Sequence, residues 1–190
     1  MVSGNRMVAR IYRLFTRGIN LMPNWCANRV TVFGDEEEVR EFKEFVKGKG
    51  DNDRLFSFNA ILPMPEELRS VTSPVTIRTE EEIEAYKKEH SNSEWMIETL
   101  PITQEMSDRY DEKYGDNNWY DWANNNWGVK WDACDITAEE AFGDTEITYW
   151  FDTPWGPPQE IYTLLVAKFP NIHITWFWDE PGMELAGYLK

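Results

Sequence analysis

Residues 125–134 read Asn-Asn-Trp-Gly-Val-Lys-Trp-Asp-Ala-Cys, and a helical pattern changes to a strand pattern within them. We expect Gly128 to end the helix in the left-handed conformation, as glycine commonly does. The alternation after it predicts a strand with Val129, Trp131 and Ala133 on one face and Lys130, Asp132 and Cys134 on the other. Trp131 should therefore lie beneath helices. Its replacement by alanine would cost about 3–5 kcal/mol, and Lys130→Ala would cost little.

Two strands and a helix are predicted to follow this stretch. Thr137 and Glu140 have the spacing of a capping box and predict a short helical turn that ends at Gly143. The elements expected after it are a strand at 146–152, a helix at about 157–169 with Ile161, Leu164, Leu165 and Phe169 on one face, a strand at 172–179 and a short edge strand at 185–190.

A strand and a helix are also predicted near the start of the chain. Val30 and Val32 alternate with other residues in a strand at 28–33. Asp35, with Glu38 three residues later, has the pattern of a capping box. The helix after it has an apolar stripe made of Val39, Phe42, Phe45 and Val46, and residues 55–62 are expected to be extended.

Residues 66–127 are polar and acidic, and we interpret them as a helical insertion or lid. Three capped helices are expected there, namely 79–89 with the capping box Thr79–Glu82, 103–115 with the cap Thr103, and 116–128 with the cap Asp116. Runs of acidic residues in this region are most simply solvated helix faces.

The order of elements predicts an α+β fold, the ferredoxin-like split βαβ sandwich, in which an antiparallel sheet carries helices on one face. Here that fold would carry the helical insertion. The opposite sheet face, called the open face below, would present Arg29, Thr31, Phe33, Thr148, Trp150, Thr175 and Phe177. This face is too aromatic to stay bare in water, so the insertion or a partner protein should cover it.

Composition and charge restrict the function. The chain has 190 residues and a formal net charge of -15, from 34 acidic and 19 basic residues. General nucleic-acid binding is excluded, since it needs clustered Lys and Arg to neutralise phosphates. Acidity fits solubility, a cationic partner or imitation of nucleic-acid charge. No apolar run reaches the roughly 18 residues that span a bilayer.

Residues 1–21 differ from the rest, because arginines are their only charged residues. Their apolar residues recur at helical spacing, as in a membrane-surface helix or a targeting segment. We favour a third interpretation, in which Met22 is the natural start and residues 1–21 are a basic extension. Residues 22–190 are then expected to form a single domain.

Chemistry-bearing residues are few. Cys26 and Cys134 do not form a CxxC motif, and His90 and His173 lie far apart, so no metal site or cofactor is predicted. Two unpaired cysteines fit a reducing cytoplasm, although a disulfide between them stays open. The chain lacks the sequence signatures of common hydrolases and nucleotide-binding proteins, and whether it is an enzyme is left open.

Three segments resemble a known family. They are Met22-Pro23-Asn24-Trp25-Cys26-Ala27-Asn28, Asn126-Trp127-Gly128-Val129-Lys130-Trp131-Asp132 and Thr153-Pro154-Trp155-Gly156-Pro157-Pro158. Together they resemble the YubB-type, or Api-ninety-two-like, ferredoxin-like domain proteins of phages and plasmids. The resemblance implies a ferredoxin-like fold and an origin in a mobile element, and it implies no activity. The resemblance also implies a start at the Met-Pro-Asn, where members of the family typically begin.

The same three segments predict one candidate site. Their tryptophans could simply lock the strand ends together. Alternatively, Trp25, Trp127 and Trp155 could wall a ligand pocket near Trp131, with charge supplied by Lys130 and Asp132.

Three functional hypotheses follow. The first is a non-enzymatic binding protein of a phage or other mobile element, acting on a host protein in the bacterial cytoplasm. The second is a small-molecule-binding protein or small enzyme that uses the tryptophan pocket. The third, single-strand nucleic-acid binding through Trp150 and Phe177 on the open face, is disfavoured by the acidity.

Overall fold

A five-stranded antiparallel sheet carries the fold in the computed structural model, which describes residues 24–48, 54–90, 99–141 and 144–190. The predictions for residues 1–21 and Gly143 lie outside these ranges. The elements are β1 (Trp25–Phe33), α1 (Glu36–Val46), α2 (Phe58–Ile61), α3 (Glu66–Arg69), α4 (Glu80–His90), α5 (Gln104–Tyr114), α6 (Trp119–Trp127), β2 (Cys134–Glu140), β3 (Glu146–Pro154), α7 (Gln159–Lys168), β4 (His173–Glu180) and β5 (Leu185–Tyr188).

The strand order is β2-β3-β1-β4-β5, and every neighbouring pair is antiparallel. The first four strands, with α1 after β1 and α7 between β3 and β4, have the ferredoxin-like arrangement. The predicted fold class is therefore confirmed. The short strand β5 extends the sheet beside β4, where the edge strand was expected.

The core lies between the sheet and the helices. Alternate residues of β1, β3 and β4 point into it, as the sequence pattern predicts. The buried side chains include Val30, Val32, Tyr149, Phe151 and Trp176 from the strands, Val39, Phe42 and Val46 from α1, and Ile161 and Leu165 from α7. Each such side chain contributes roughly 1.5–3 kcal/mol by leaving water, so this layer carries much of the folding free energy.

The insertion packs on the helical side of the molecule. Helix α6 contacts α7, and α3 contacts α6. Leu68, Tyr110 and Trp122 of the insertion join the same buried cluster as the strands. The open face stays accessible among the described residues: Phe33 is 54% exposed and Trp150 37% exposed. The insertion or a partner protein was expected to cover this face, and the described part of the insertion does not cover it.

Residues 55–62 are not extended as predicted, because Phe58–Ile61 forms the helical turn α2. The Ser57 hydroxyl accepts a hydrogen bond from the Ala60 amide at 3.3 Å, and a carboxylate oxygen of Asp132 accepts one from the Phe58 amide at 2.6 Å. These contacts cap the turn, and the second comes from a residue that is distant in sequence.

The strand predicted from Val129 begins only at Cys134. Residues 128–131 form a bend that leads from α6 to the sheet edge. Trp131 is therefore only half-buried, and its predicted position beneath the helices is wrong. The helical turn predicted at Thr137–Glu140 is also wrong: these residues belong to β2 and pair with β3, because strand pairing supplies backbone partners that an isolated turn would lack.

Several capping residues and terminal glycines of the helices lie where the sequence predicts them. Thr103 caps α5, and Gly115 and Gly128 end α5 and α6 with φ of 78° and 82°. Thr79 and Glu82 form the reciprocal bonds of a capping box.

Four details of the helices differ from the predictions. The cap of α6 is Asn118, whose side chain accepts bonds from two backbone amides, and Asp116 does not take that role. Asp35 makes no capping bond through its side chain. Helix α7 begins at Gln159, two residues after the predicted start, and its Leu164 is exposed because that side of the helix turns away from the sheet.

Candidate functional site

The three segments that carry the family resemblance meet at one end of the sheet. The Trp155 amide donates a hydrogen bond to the Asn24 carbonyl at 2.8 Å. The rings of Trp25 and Trp131 lie 6.3 Å apart. Gly128 lies against the start of α7, where an added Cβ would be 3.1 Å from the Gln159 amide nitrogen. The predicted convergence is therefore present, and its centre is polar.

Asn28 is 2% exposed and links two of these segments to β4. Its amide nitrogen donates to the Thr153 hydroxyl at 2.7 Å and to the Cys26 carbonyl at 2.9 Å. Its carbonyl oxygen accepts from the indole N–H of Trp176 at 3.0 Å. Thr153 in turn donates to the Gly156 carbonyl at 2.7 Å. A satisfied buried network of this kind fixes one packing arrangement.

The sequence reasoning did not include Asn28 or Thr153 among the site residues. A signal was available, because both are polar residues at strand positions whose side chains point into an apolar core. Buried polar groups need partners, so two of them on adjacent strands predict a hydrogen bond between them.

Trp127 and Asp132 do not line a pocket. The Trp127 ring packs against Phe58 and Trp122, and its indole N–H donates to the Leu62 carbonyl at 2.9 Å. The Asp132 carboxylate accepts hydrogen bonds from the Ser57 hydroxyl, the Phe58 amide and the Ala133 amide at 2.6–2.8 Å. Both residues therefore stabilise α2 and its surroundings, and the pocket is not walled as predicted.

Of the other four residues of the predicted pocket, Trp25, Lys130 and Trp131 form a surface cluster. The Lys130 ammonium lies 4.1 Å from the Trp131 ring centre, and burial lowers the pKa of Lys130. Trp155, at φ 72°, is 49% exposed. Two concave surfaces in the described residues, one on α4 and one near His173 with a volume of about 450 Å³, involve none of these residues. The cluster is an aromatic surface patch with one cation.

The open face carries an aromatic row across four strands. Strand register aligns Trp150, Arg29, Phe177 and Tyr188 side by side, from β3 through β1 and β4 to β5. The Arg29 guanidinium lies 5.4 Å from the Phe177 ring centre, and the Phe177 and Tyr188 rings pack edge to face at 5.2 Å. Trp150 and Tyr188 are 37% and 54% exposed, so the row is accessible to a partner.

A threonine row lies beside the aromatic row. Thr148, Thr31 and Thr175 align on β3, β1 and β4. The hydroxyls of Thr31 and Thr148 are hydrogen-bonded at 3.0 Å, and Thr175 bonds the His173 ring at 3.1 Å. The structure thus places all seven residues predicted for the open face on one surface, together with Tyr188.

The thiols are poorly suited to nucleophilic chemistry. Cys26 and Cys134 are free, and burial raises the pKa of each to about 11. A thiolate is the reactive species, so these cysteines are unreactive near neutral pH.

Within the described ranges, no group of three or more His, Cys, Asp or Glu residues is arranged to hold a metal ion. None of the helices in those ranges is long and apolar enough to cross a membrane.

The sheet order and the helical layer define an α+β protein of the ferredoxin-like class. Residues 126–190 match the family described as the ferredoxin-like domain in Api92-like protein. They include β2 to β5 and α7, and β1 completes the sheet between β3 and β4. This match supports the Api92-like part of the resemblance over residues 126–190.

One solved structure is similar to the chain. It is a protein api92 from Yersinia pseudotuberculosis, 14% identical, with 88% of this chain and 93% of that chain covered and a TM-score of 0.48. No curated protein matches the sequence.

Proposed function

We propose that the chain is a non-enzymatic binding protein that docks a partner protein on its open face. The accessible aromatic row of Trp150, Arg29, Phe177 and Tyr188 is the observation that supports it. The resemblance to phage and plasmid proteins makes a protein in the cytoplasm of a bacterial host the expected target.

The residue types of this row favour a protein partner. Trp, Tyr and Arg are the side chains that contribute most often to binding free energy at protein interfaces. They stand here on paired strands, so binding needs no ordering of a loop backbone. The threonine row beside them offers hydroxyls for the polar rim that such interfaces have.

The charges near the row disfavour the nucleic-acid alternative. Arg29 is the only cation among the seven residues predicted for the open face, and Glu139 and Asp152 lie on the same side of the sheet. A stacking platform for single strands needs a positive groove for the phosphates. The hydrogen bonds of Trp127 and Asp132 to residues of α2 and its surroundings disfavour the pocket alternative.

Affinity purification from bacterial lysate tests the proposal. A stoichiometric partner should be recovered by the unmodified chain and lost from Trp150→Ser and Tyr188→Ser. Tyr120→Ser is the matched control, because Tyr120 is 39% exposed on α6, away from the open face. Circular dichroism should show that all three variants are folded.

Two results would contradict the proposal. One is a partner that both open-face variants retain, and the other is the absence of any partner in several hosts. A gel shift with a short single-stranded oligonucleotide at low salt covers the alternative, and retardation that Trp150→Ser abolishes would favour nucleic acid instead.

A further inference from the structure

A further row of the open face carries two acidic side chains on either side of an alanine. Strand register places Ala27 of β1 between Asp152 of β3 and Asp179 of β4. Neighbouring strands lie roughly 4.8 Å apart, so the two aspartates stand about 10 Å apart across the alanine. Ala27 is exposed, and its side chain is only a methyl group. The three residues, called the acid row below, form a gap with a carboxylate on each side.

Both carboxylates of the acid row lack a partner in the structure. Within residues 24–48, 54–90, 99–141 and 144–190, neither Asp152 nor Asp179 forms a side-chain hydrogen bond or an ion pair. Both are half-buried. Burial raises the pKa of Asp152, and nearby Asp135 raises it further. The nearby cation Arg29 lies over the Phe177 ring. Among the described residues, therefore, no cationic side chain is within ion-pair distance of either carboxylate of the row.

Aromatic rings lie on both sides of the acid row. Trp25 precedes Ala27 by two residues and so stands on the same sheet face, with its ring against Trp131. On the other side, Trp150 and Phe177 stand two residues before Asp152 and Asp179. Carboxylates flanked by aromatic faces suit a cation with a long apolar stem, because the rings attract the charge and cover the stem.

We infer that the acid row receives a lysine or arginine side chain of the partner protein that docks on the open face. This inference rests on the proposed function and specifies the chemistry of the partner. Charge complementarity supports it, since the chain has a formal net charge of -15. The same charge disfavours a second copy of the chain, because two strongly acidic proteins repel each other.

Peptide titration followed by backbone-amide NMR tests the inference on the full chain. The probes are the capped peptides Gly-Lys-Gly-Lys-Gly and Gly-Arg-Gly-Arg-Gly, with Gly-Gln-Gly-Gln-Gly as the neutral control. The cationic peptides should cause saturable shifts centred on Ala27 and its neighbours in β3 and β4. The neutral peptide should cause shifts at least about tenfold smaller at the same concentration, because it cannot form the ion pairs.

Two pairs of substitutions locate the effect. Asp152→Asn with Asp179→Asn should weaken cationic-peptide binding about tenfold. Glu139→Gln with Glu146→Gln removes the same charge from other rows of the open face and should change binding less than about twofold. Ala27→Ile fills the gap with a residue that strands accept, and it should abolish binding although both carboxylates remain.

The outcomes separate this inference from the proposed function. Equal weakening by the two double substitutions would show diffuse attraction to an acidic surface and overturn the acid row as a site. Binding of the neutral peptide, or shifts elsewhere, would do the same. A partner that requires Trp150 but still binds Asp152→Asn/Asp179→Asn at full strength would leave the proposed function standing and refute the inference. A partner indifferent to Trp150 refutes the proposed function itself.

Discussion

At the scale of single residues, the tryptophans divide between two roles that composition alone does not separate. Trp176 is completely buried, and its indole N–H is bound by Asn28. Trp131 is half-buried on the surface, between Trp25 and the Lys130 ammonium. The same side chain therefore fills the core at one position and covers a strand end at the other, and substitution should distinguish the two.

Trp176→Ala should destabilise the protein by about 3–5 kcal/mol, because a large ring leaves the core and Asn28 loses a hydrogen-bond donor. Trp131→Ala makes the identical change at the surface and should cost below about 2 kcal/mol. Urea unfolding followed by circular dichroism measures both. A larger loss for Trp131→Ala would show that the bend at residues 128–131, and not the sheet core, limits stability.

Asp152→Asn should stabilise the protein at neutral pH. Burial raises the folded-state pKa of this carboxyl above its ordinary value of 3.8, so the folded state favours the protonated form. The associated stability is fully present below the ordinary pKa and is lost as pH rises through the folded-state pKa. The advantage of the asparagine variant should therefore be largest near pH 7 and should disappear below about pH 4.

Urea unfolding at several pH values measures this difference. Glu146→Gln removes the same charge from the same strand and is the control for general repulsion between acidic residues. Asp135, which also faces Asp152, should be left unchanged. A gain for Asp152→Asn that persists at low pH would rule out the ionised carboxylate as its cause.

At the scale of helices and strands, the two glycine C-caps form a natural comparison. Gly115 ends α5 and Gly128 ends α6, both in the left-handed region. Nothing lies within 4 Å of a Cβ added at Gly115, whereas one at Gly128 would meet the Glu160 carboxylate and the Gln159 backbone amide. Only the second glycine therefore serves the contact between α6 and α7 as well as the turn.

Gly115→Ala should cost about 1–2 kcal/mol, the strain of a left-handed alanine. Gly128→Ala carries the same strain and in addition pushes α7 away, so it should cost at least about 1 kcal/mol more. Thermal and urea unfolding of the two variants give the difference directly. Equal losses would mean that Glu160 moves aside and that the approach of α7 contributes nothing.

The elements that the sequence predicts correctly depend on local patterns. Alternation of apolar residues in β1, β3 and β4 suffices, because a half-buried strand must present every second residue to the core. The errors arise from distant contacts. Phe58–Ile61 is helical partly because of Asp132, and Thr137 lies in a strand because Trp150 is opposite it. No short window of sequence contains those partners.

The sequence predicted one part of the candidate site, the open face, but not the other, the tryptophan pocket. The open face follows from alternation, and all seven of its predicted residues share one surface. The pocket required knowing where the Trp127 ring points, and that depends on Phe58 of α2 and the Leu62 carbonyl as well as on Trp122 of the same helix. Asn28 and Thr153 fall at inward strand positions, which marks them as buried polar residues, but their partners lie more than a hundred positions away and local patterns do not identify them.

At the scale of the whole molecule, the two cysteines report on global unfolding. Cys26 is fully buried, and Cys134 is half-buried beside the sheet edge. With the pKa of each thiol near 11, roughly one thiol in a thousand is ionised at pH 8. Reaction with an aromatic disulfide reagent should therefore be slow in the native state.

The same reaction should become fast for both thiols in urea, with a midpoint equal to that of circular dichroism. The single variants Cys26→Ala and Cys134→Ala assign the two phases. Rapid labelling of Cys134 without denaturant would indicate local opening of β2 rather than whole-molecule unfolding.

The sheet separates two sets of residues that alternate along the same strands. Inward residues such as Asn28, Tyr149 and Trp176 hold the fold, and outward residues such as Ala27, Trp150 and Phe177 do not contribute to that core. Outward positions can therefore accept substitutions that the inward ones cannot. Under natural selection or in a combinatorial library, the target of this surface could change through a few substitutions while the scaffold beneath it stays the same.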